Sequence, residues 1–294
     1  VGMTGVLSWT SLVGAARAAR VKRRAISLSN TKFWQVNAGE VHIEERDLDR
    51  LARSATEAEL LVASTEVPTA HFYMIAVPTP LGPDKTPDIS FVEAAARAIA
   101  HRMLPGACVI IESTSPIGTT ERVAEIISKE RPDLAVPEFG DDEGGDIALA
   151  YCPERVLPGK IVTELVSNDR VIGGMTAACA ERAAALYHSF VKGDCLVTNV
   201  RTAEMVKLVE NSFRDVNIAF ANELSMIADA MEIDVWEVIR LANRHPRVRI
   251  LQPGPGVGGH CIAVDPWFLV AAAPDRARLV RTAREVNDSK AVHA

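Results

Sequence analysis

A chain of 294 residues is longer than one usual domain of about 100–200 residues, so one large or two medium domains are expected. Its 48% hydrophobic and 24% charged residues are ordinary for a globular protein and exclude the disordered, collagenous and coiled-coil classes. A net charge of −6, with no long Lys/Arg run beyond Arg24, argues against nucleic acid as the main partner.

No apolar stretch reaches the roughly 18 uncharged residues that cross a bilayer. The N-terminal basic cluster (Arg17, Arg20, Lys22, Arg23, Arg24) follows the apolar part instead of preceding it, the reverse of a signal peptide. A cytoplasmic protein with no membrane partner is therefore expected. The five cysteines (Cys108, Cys152, Cys179, Cys195, Cys261) are odd in number and contain no C-x-x-C pair, so neither a disulfide framework nor a metal site is expected. A single nucleophilic thiol remains open.

In chain order, Phe72–Val77 is a short apolar run closed by Pro78, Thr79 and Pro80, and residues 91–104 carry an Ala-rich helical pattern. Residues 107–111 read as a buried strand, then comes the polar loop Glu112–Gly118 and a helix over 119–129. This alternation predicts an α/β fold with a Rossmann-like parallel sheet. Ligands of such sheets sit at the strands' carboxyl ends, which places Val77, Pro78, Thr79, Ser113 and Thr114 beside a cofactor. Ordinary connecting loops are the competing reading. Residues 132–146, rich in Pro, Gly and Asp, predict a surface connection. Strands are predicted at 148–152, 169–172 and 195–198, with a helix over 178–190.

From Thr202 to Met231 apolar residues recur every three or four positions without Pro or Gly, which predicts one long helix. Lys207 and Asn211 share a face, and Asn222 returns to nearly the same azimuth about three turns on. That line is either a polar pocket or a solvated face. A second helix is predicted over 235–243. Residues 253–266 then read PGPGVGGHCIAVDP, where Gly254, Gly256, Gly258 and Gly259 let the backbone approach a ligand and present Cys261. Reactivity needs the thiolate, which a nearby Lys or His favours, and Asp265 can orient a water or a partner. A structural cysteine in a Gly-rich turn is the alternative.

This segment resembles the nucleophile loop of the UDP-glucose/GDP-mannose dehydrogenase family. IAVPTP (75–80), ESTSPIGTTE (112–121), AYCPERVLPGK (150–160), NDRVIGGMT (168–176) and RTAEMVKLVENSFRDVNIAFANEL (201–224) resemble it in the same order, over about Ala38 to Asn287. They look like the branch acting on UDP-N-acetylmannosamine. The resemblance implies NAD as cofactor, a UDP-N-acetylhexosamine as substrate, and a homodimer. It implies an NAD-binding domain over 1–200 and a central helical dimerisation domain over 201–294, with the further UDP-binding domain of whole family members expected to be absent from this sequence.

By resemblance, Cys261 is the nucleophile that holds the aldehyde as a thiohemiacetal and then a thioester. Lys207 and Asn211 stabilise oxyanions, Asp265 supports the water and the lysine, Glu154 is the base for thioester hydrolysis, and Thr114 lies between cofactor and substrate. Glu154, Arg155, Lys207, Asn211, Gly258 and His260 contact substrate, and Arg247 reaches the partner's substrate across the dimer. Pro158 stands where UDP-glucose enzymes carry a second glutamate. Residues 1–37 depart from the pattern: Gly2, Gly5 and Gly14 lack the G-x-G-x-x-G spacing, and a basic run replaces the strand with its ribose-binding acid. A disrupted first unit, arising from a shifted reading frame or a mis-called start ahead of Ala38, is the expectation that follows. The competing functions are a UDP-N-acetylglucosamine or UDP-glucose dehydrogenase, or an inactive fragment keeping only the dimerisation core.

Overall fold

The computed structural model describes residues 23–26, 35–40, 47–141, 144–157 and 159–293. Gly2, Gly5, Gly14 and Pro158, used in the sequence reading, lie outside them. The chain divides into two compact units, residues 1–79 with 89–204, and residues 80–88 with 205–294.

In the first unit, β1 (Arg23–Ile26) pairs in parallel with β2 (Leu61–Ser64), joined through helix α1 (Leu48–Glu57). Leu48, Ala52 and Ala55 recur at helical spacing and are buried, Ala52 and Ala55 packing with Leu61 and Ala63 of β2. The main sheet has the order β3 (Phe72–Ile75), β4 (Cys108–Ile111), β5 (Ala148–Tyr151), β6 (Arg170–Gly174), β7 (Cys195–Asn199). All residues of β4 and β5 are buried, as expected for strands covered on both faces. Helices α2 (Ser90–Ala100), α3 (Thr119–Glu130), α4 (Ile161–Ser167) and α5 (Ala177–Tyr187) complete this unit.

One sheet pairing departs from the parallel expectation: β5 and β6 run antiparallel, matching Ala150 with Gly174 and Tyr151 with Gly173. The strand reverses because the connection through the short helix α4 stays at the carboxyl end of β5 instead of crossing the sheet, so β6 starts at that end and runs back. Gly174 is obligatory there, since a Cβ would sit 2.3 Å from the Thr176 carbonyl oxygen and 2.4 Å from the Ala180 nitrogen.

Helix α6 (Val200–Ala230) contains 31 residues, about 46 Å at 1.5 Å per residue. Its first residues belong to the first unit and the rest to the second. The second unit adds α7 (Val235–Ala242), α8 (Asp265–Ala272) and α9 (Arg278–His293). Asp234 starts α7 by accepting the amides of Trp236 and Glu237, and Pro266 in the first turn of α8 needs no amide partner.

Candidate active site

In the second unit the cysteine loop runs into the start of α8. The Cys261 carbonyl accepts the amides of Val264 (3.0 Å) and Asp265 (2.8 Å), which fixes the thiol's backbone to the first helical turn. Gly256 (φ 128°) and Gly259 (φ 89°) adopt left-handed backbone that other residues avoid. Cys261 is exposed, whereas Cys108, Cys152 and Cys179 are buried, and burial pushes the Cys108 and Cys152 thiols up to about 12. These three are inert by position and Cys195 is half-buried, which leaves Cys261 as the exposed thiol.

Two charged groups, Asp265 and Lys207, act on it electrostatically. Asp265 is buried and accepts a short hydrogen bond from the Asn211 side-chain amide of α6. Burial raises its carboxyl to about 6, against the opposing pull of Asn211 and of the Lys207 ammonium. The Cys261 thiol is also held above its ordinary range. Desolvation is the first cause, partial because the residue is exposed; Asp265 adds to it and Lys207 opposes it. A thiol, a fixed amide, an ammonium and a buried carboxyl are thus brought together. Asn222, placed by spacing on the same face as Lys207 and Asn211, is fully buried, so the solvated-face reading does not hold for it. Its amide bonds to Gly254 and Asn287 instead.

In the first unit the loops after β3 and β4 lie side by side at the strands' carboxyl ends. The Ser113 hydroxyl accepts from the Val77 amide and donates to the Val77 carbonyl, both at 2.7 Å, and Thr79 donates to the Thr114 carbonyl at 2.5 Å. Ser113 and Thr79 therefore brace the two loops with their side chains, and Pro78 stiffens the turn between them. Glu204, in the first turn of α6, accepts the amides of Gly118 (2.6 Å) and Thr120 (2.9 Å) and the Thr120 hydroxyl (2.7 Å). The start of α3 is thereby occupied by an internal carboxylate, which burial raises to about 7.

In the same unit, Glu154 is buried and pairs with the buried Arg170 at 3.1 Å. The Arg155 amide donates to Glu154 at 2.8 Å, while its guanidinium donates to the Asp169 carbonyl. Tyr187 donates to Glu112 at 2.8 Å. Burial first, then proximity to Glu154, raises Glu112 to about 8, against Arg170 and Tyr187. Arg247, Gly258 and His260 are exposed. Glu112, Arg170, Tyr187 and Glu204 were missed by sequence reasoning. A charged residue opening an apolar strand, as Arg170 does in RVIGG, was the one available signal.

A parallel-sheet unit with ligand-facing loops and a helical unit carrying a presented thiol are the parts of a nucleotide-dependent dehydrogenase. Residues 10–191 match the NAD binding domain of the UDP-glucose/GDP-mannose dehydrogenase family, and residues 201–289 match its central domain. The chain belongs to this family. The match begins at residue 10 and so takes in most of the stretch before Ala38, where the sequence reading found no family pattern.

The NDP-N-acetyl-D-galactosaminuronic acid dehydrogenase of Ralstonia nicotianae is 61% identical over 255 residues, covering 87% of this chain and 60% of that protein. The UDP-N-acetyl-D-mannosamine dehydrogenase of Escherichia coli K12 is 58% identical over 277 residues, covering 94% and 66%. The UDP-D-ManNAc dehydrogenase structure from Pyrococcus horikoshii superposes with a TM-score of 0.88 at 40% identity, covering 98% of this chain and 67% of that one. The chain thus spans less than two thirds of the length of these two curated relatives. No helix among the described residues is long and apolar enough to cross a membrane.

Proposed function

We propose that the chain carries the NAD-binding and central parts of an enzyme that oxidises the primary alcohol of UDP-N-acetylmannosamine to a carboxylate through a covalent intermediate on Cys261. The observation that carries this reading is the exposed thiol grouped with Lys207, Asn211 and the buried Asp265.

The residues present fit the cofactor. Two braced loops at adjacent parallel strand ends offer backbone groups of Val77–Thr79 and Ser113–Thr114, and among the described residues the Thr114 hydroxyl has no protein partner. When bound, NAD supplies the hydride acceptor for each of the two oxidations. The protein's residues do the rest. Loss of a hydride, and of a proton to water, from the alcohol gives the aldehyde; the Cys261 thiol yields its proton to water and its sulfur adds to the carbonyl carbon, forming the C–S bond as the carbonyl electron pair moves onto oxygen. Lys207 and Asn211 donate to the oxygen that becomes negative. Loss of a second hydride gives the thioester. Water, deprotonated by Glu154, attacks it; the C–S bond breaks, and the thiolate leaves with the carboxylate as product. Asp265, tied to Asn211, holds the donor set in place. Arg155, Gly258 and His260 contact the sugar nucleotide.

The assembly is a homodimer. Met205, Val209, Phe213, Phe220 and Ile227 on α6 are 44–72% exposed. They fall within an arc of about 80° at 100° per residue, an apolar stripe that a second copy would cover. Arg247 then serves the partner's substrate. A cytoplasmic site of action fits a soluble nucleotide-sugar substrate.

The similarity to the Ralstonia relative favours a second reading in which the substrate is the galacto-configured N-acetylhexosamine. The test is an assay of the full chain with NAD and a panel of UDP-sugars. UDP-N-acetylmannosamine should give two NADH per sugar, Cys261→Ala should abolish acid formation, and Lys207→Ala should slow turnover by about 10²–10³-fold. One NADH per sugar with free aldehyde, or undiminished activity in Cys261→Ala, would refute the mechanism. A preference for the galacto or gluco sugar would move only the substrate.

A further inference from the structure

The second unit holds a buried polar network that the proposed chemistry does not use. Asp215, Asn222, Arg284 and Asn287 are each at most 1% exposed. Asn222 of α6 accepts the Gly254 amide at 2.9 Å and donates to the Asn287 side-chain oxygen at 2.8 Å. Asn287 of α9 donates to the Asp215 carboxylate at 2.8 Å and to its carbonyl at 3.1 Å. Arg284 donates to the same carboxylate at 2.7 Å and also bonds Asp288. Every link but the first joins α6 to α9 or lies within α9. The first leaves the helices and grips the head of the cysteine loop.

A second contact lies two residues on. A Cβ at Gly256 would stand 3.0 Å from the Asn287 carbonyl oxygen, so the loop backbone rests directly on α9. The loop is therefore held at Gly254 and Gly256 at one end and by the start of α8 at the other, with Cys261 between. Freezing amide side chains in a buried site is costly, and Asn222 offsets it by using both its oxygen and its nitrogen, although Asp215 Oδ2 and Arg284 Nε of the same network have no partner among the described residues.

We infer that Asn222, locked by Asn287, is a positioning residue for the Cys261 nucleophile: its grip on the Gly254 amide sets where the loop holds the thiol relative to Lys207 and Asp265. The inference rests on the cysteine reading above but is tested without turnover. With the grip lost, the loop frees the thiol from partial burial and from Asp265, and its pKa falls toward the ordinary value. A lower pKa raises the thiolate fraction, and with it the alkylation rate, at neutral pH.

The experiment is alkylation of the full chain by iodoacetamide across pH 6–10, with modification at Cys261 followed by peptide mass spectrometry. Asn222→Ala and Gly254→Pro should each raise the Cys261 rate at pH 7 by more than about two-fold and move its pH midpoint down. Gly254→Pro removes the donor and fixes φ there, while a Cβ at this position meets nothing within 4 Å. Asn222→Asp keeps the acceptor oxygen but loses the donor to Asn287, so it should also raise the rate. Ile239→Ala, a buried site of the same unit outside the network, should stay within about two-fold of the parent despite its cavity. Rates in Asn222→Ala and Gly254→Pro within two-fold of the parent would overturn the inference, as would an equal rise in Ile239→Ala. Should Asn222→Ala not fold, Gly254→Pro decides alone. Retained oxidation in Cys261→Ala defeats the functional reading and leaves this result standing.

Discussion

Replacing Asp265 by Asn should make the protein more stable at neutral pH while weakening the site. The carboxyl sits 3% exposed and is raised from 3.8 to about 6, chiefly by burial. That shift of about 2.2 units corresponds to about 3 kcal/mol spent on ionising it inside the fold. An acid whose folded pKa is raised contributes its full stability below the unfolded value and loses it as pH climbs to the folded value. Here the loss runs between pH 3.8 and about 6. Asparagine does not titrate and can still accept from Asn211, so Asp265→Asn recovers about 3 kcal/mol above pH 6. The position opens α8, where a negative charge is favoured by about 0.5–1 kcal/mol, so the net gain is about 2 kcal/mol. Thermal or urea unfolding at half-unit pH steps should show the two proteins nearly level at pH 4 and diverging to a plateau near pH 7. With the negative neighbour gone, Cys261 should also alkylate faster at pH 7. A variant that is less stable at pH 7, or a difference that does not change with pH, would refute this account of Asp265.

Glu112, raised to about 8 beside Glu154, follows the same sign over a higher window. Glu112→Gln should gain stability over the parent as pH rises from 4.5 to 8, reaching about 3–5 kcal/mol, with Tyr187 still bonded; equal melting shifts at pH 5 and 8.5 would exclude it. On the apolar stripe of α6, Phe213→Glu places a charge on a residue 72% exposed in the single chain. Sedimentation should show the parent as a dimer and the variant as a species near 31.8 kDa, with little loss of folded monomer; a parent that sediments as a monomer removes the dimer.

Much of the fold was legible because its signals are local. The apolar runs at Phe72–Ile75 and Cys108–Ile111 and the unbroken three-to-four periodicity of α6 depend only on which faces must leave water, and the structure has those elements within a few residues of the expected bounds. The short helix α4 and the antiparallel turn of β6 were not legible, since strand direction is set by where a connection ends in space. The glycine loop likewise displayed Cys261 in one dimension: positive-φ residues just before a thiol need no partner to be recognised.

Resemblance carried the roles proposed for Lys207, Asn211, Asp265 and Glu154, but their states are tertiary properties. That Asp265 sits near 6, that Ser113 and Thr79 spend their hydroxyls bracing the two loops, and that Glu154 is locked to Arg170 follow from which side chains are buried together. Asn222 shows the division most plainly. Its azimuth on α6 was fixed by a spacing of eleven residues from Asn211, yet its partners, Gly254 and Asn287, lie 32 and 65 positions away along the chain. By itself the sequence determined periodicity, punctuation and which thiol stands behind a glycine-rich loop. Only the folded chain decided dielectric, hydrogen-bond partnership and charge state, because those depend on neighbours that sequence distance does not reveal.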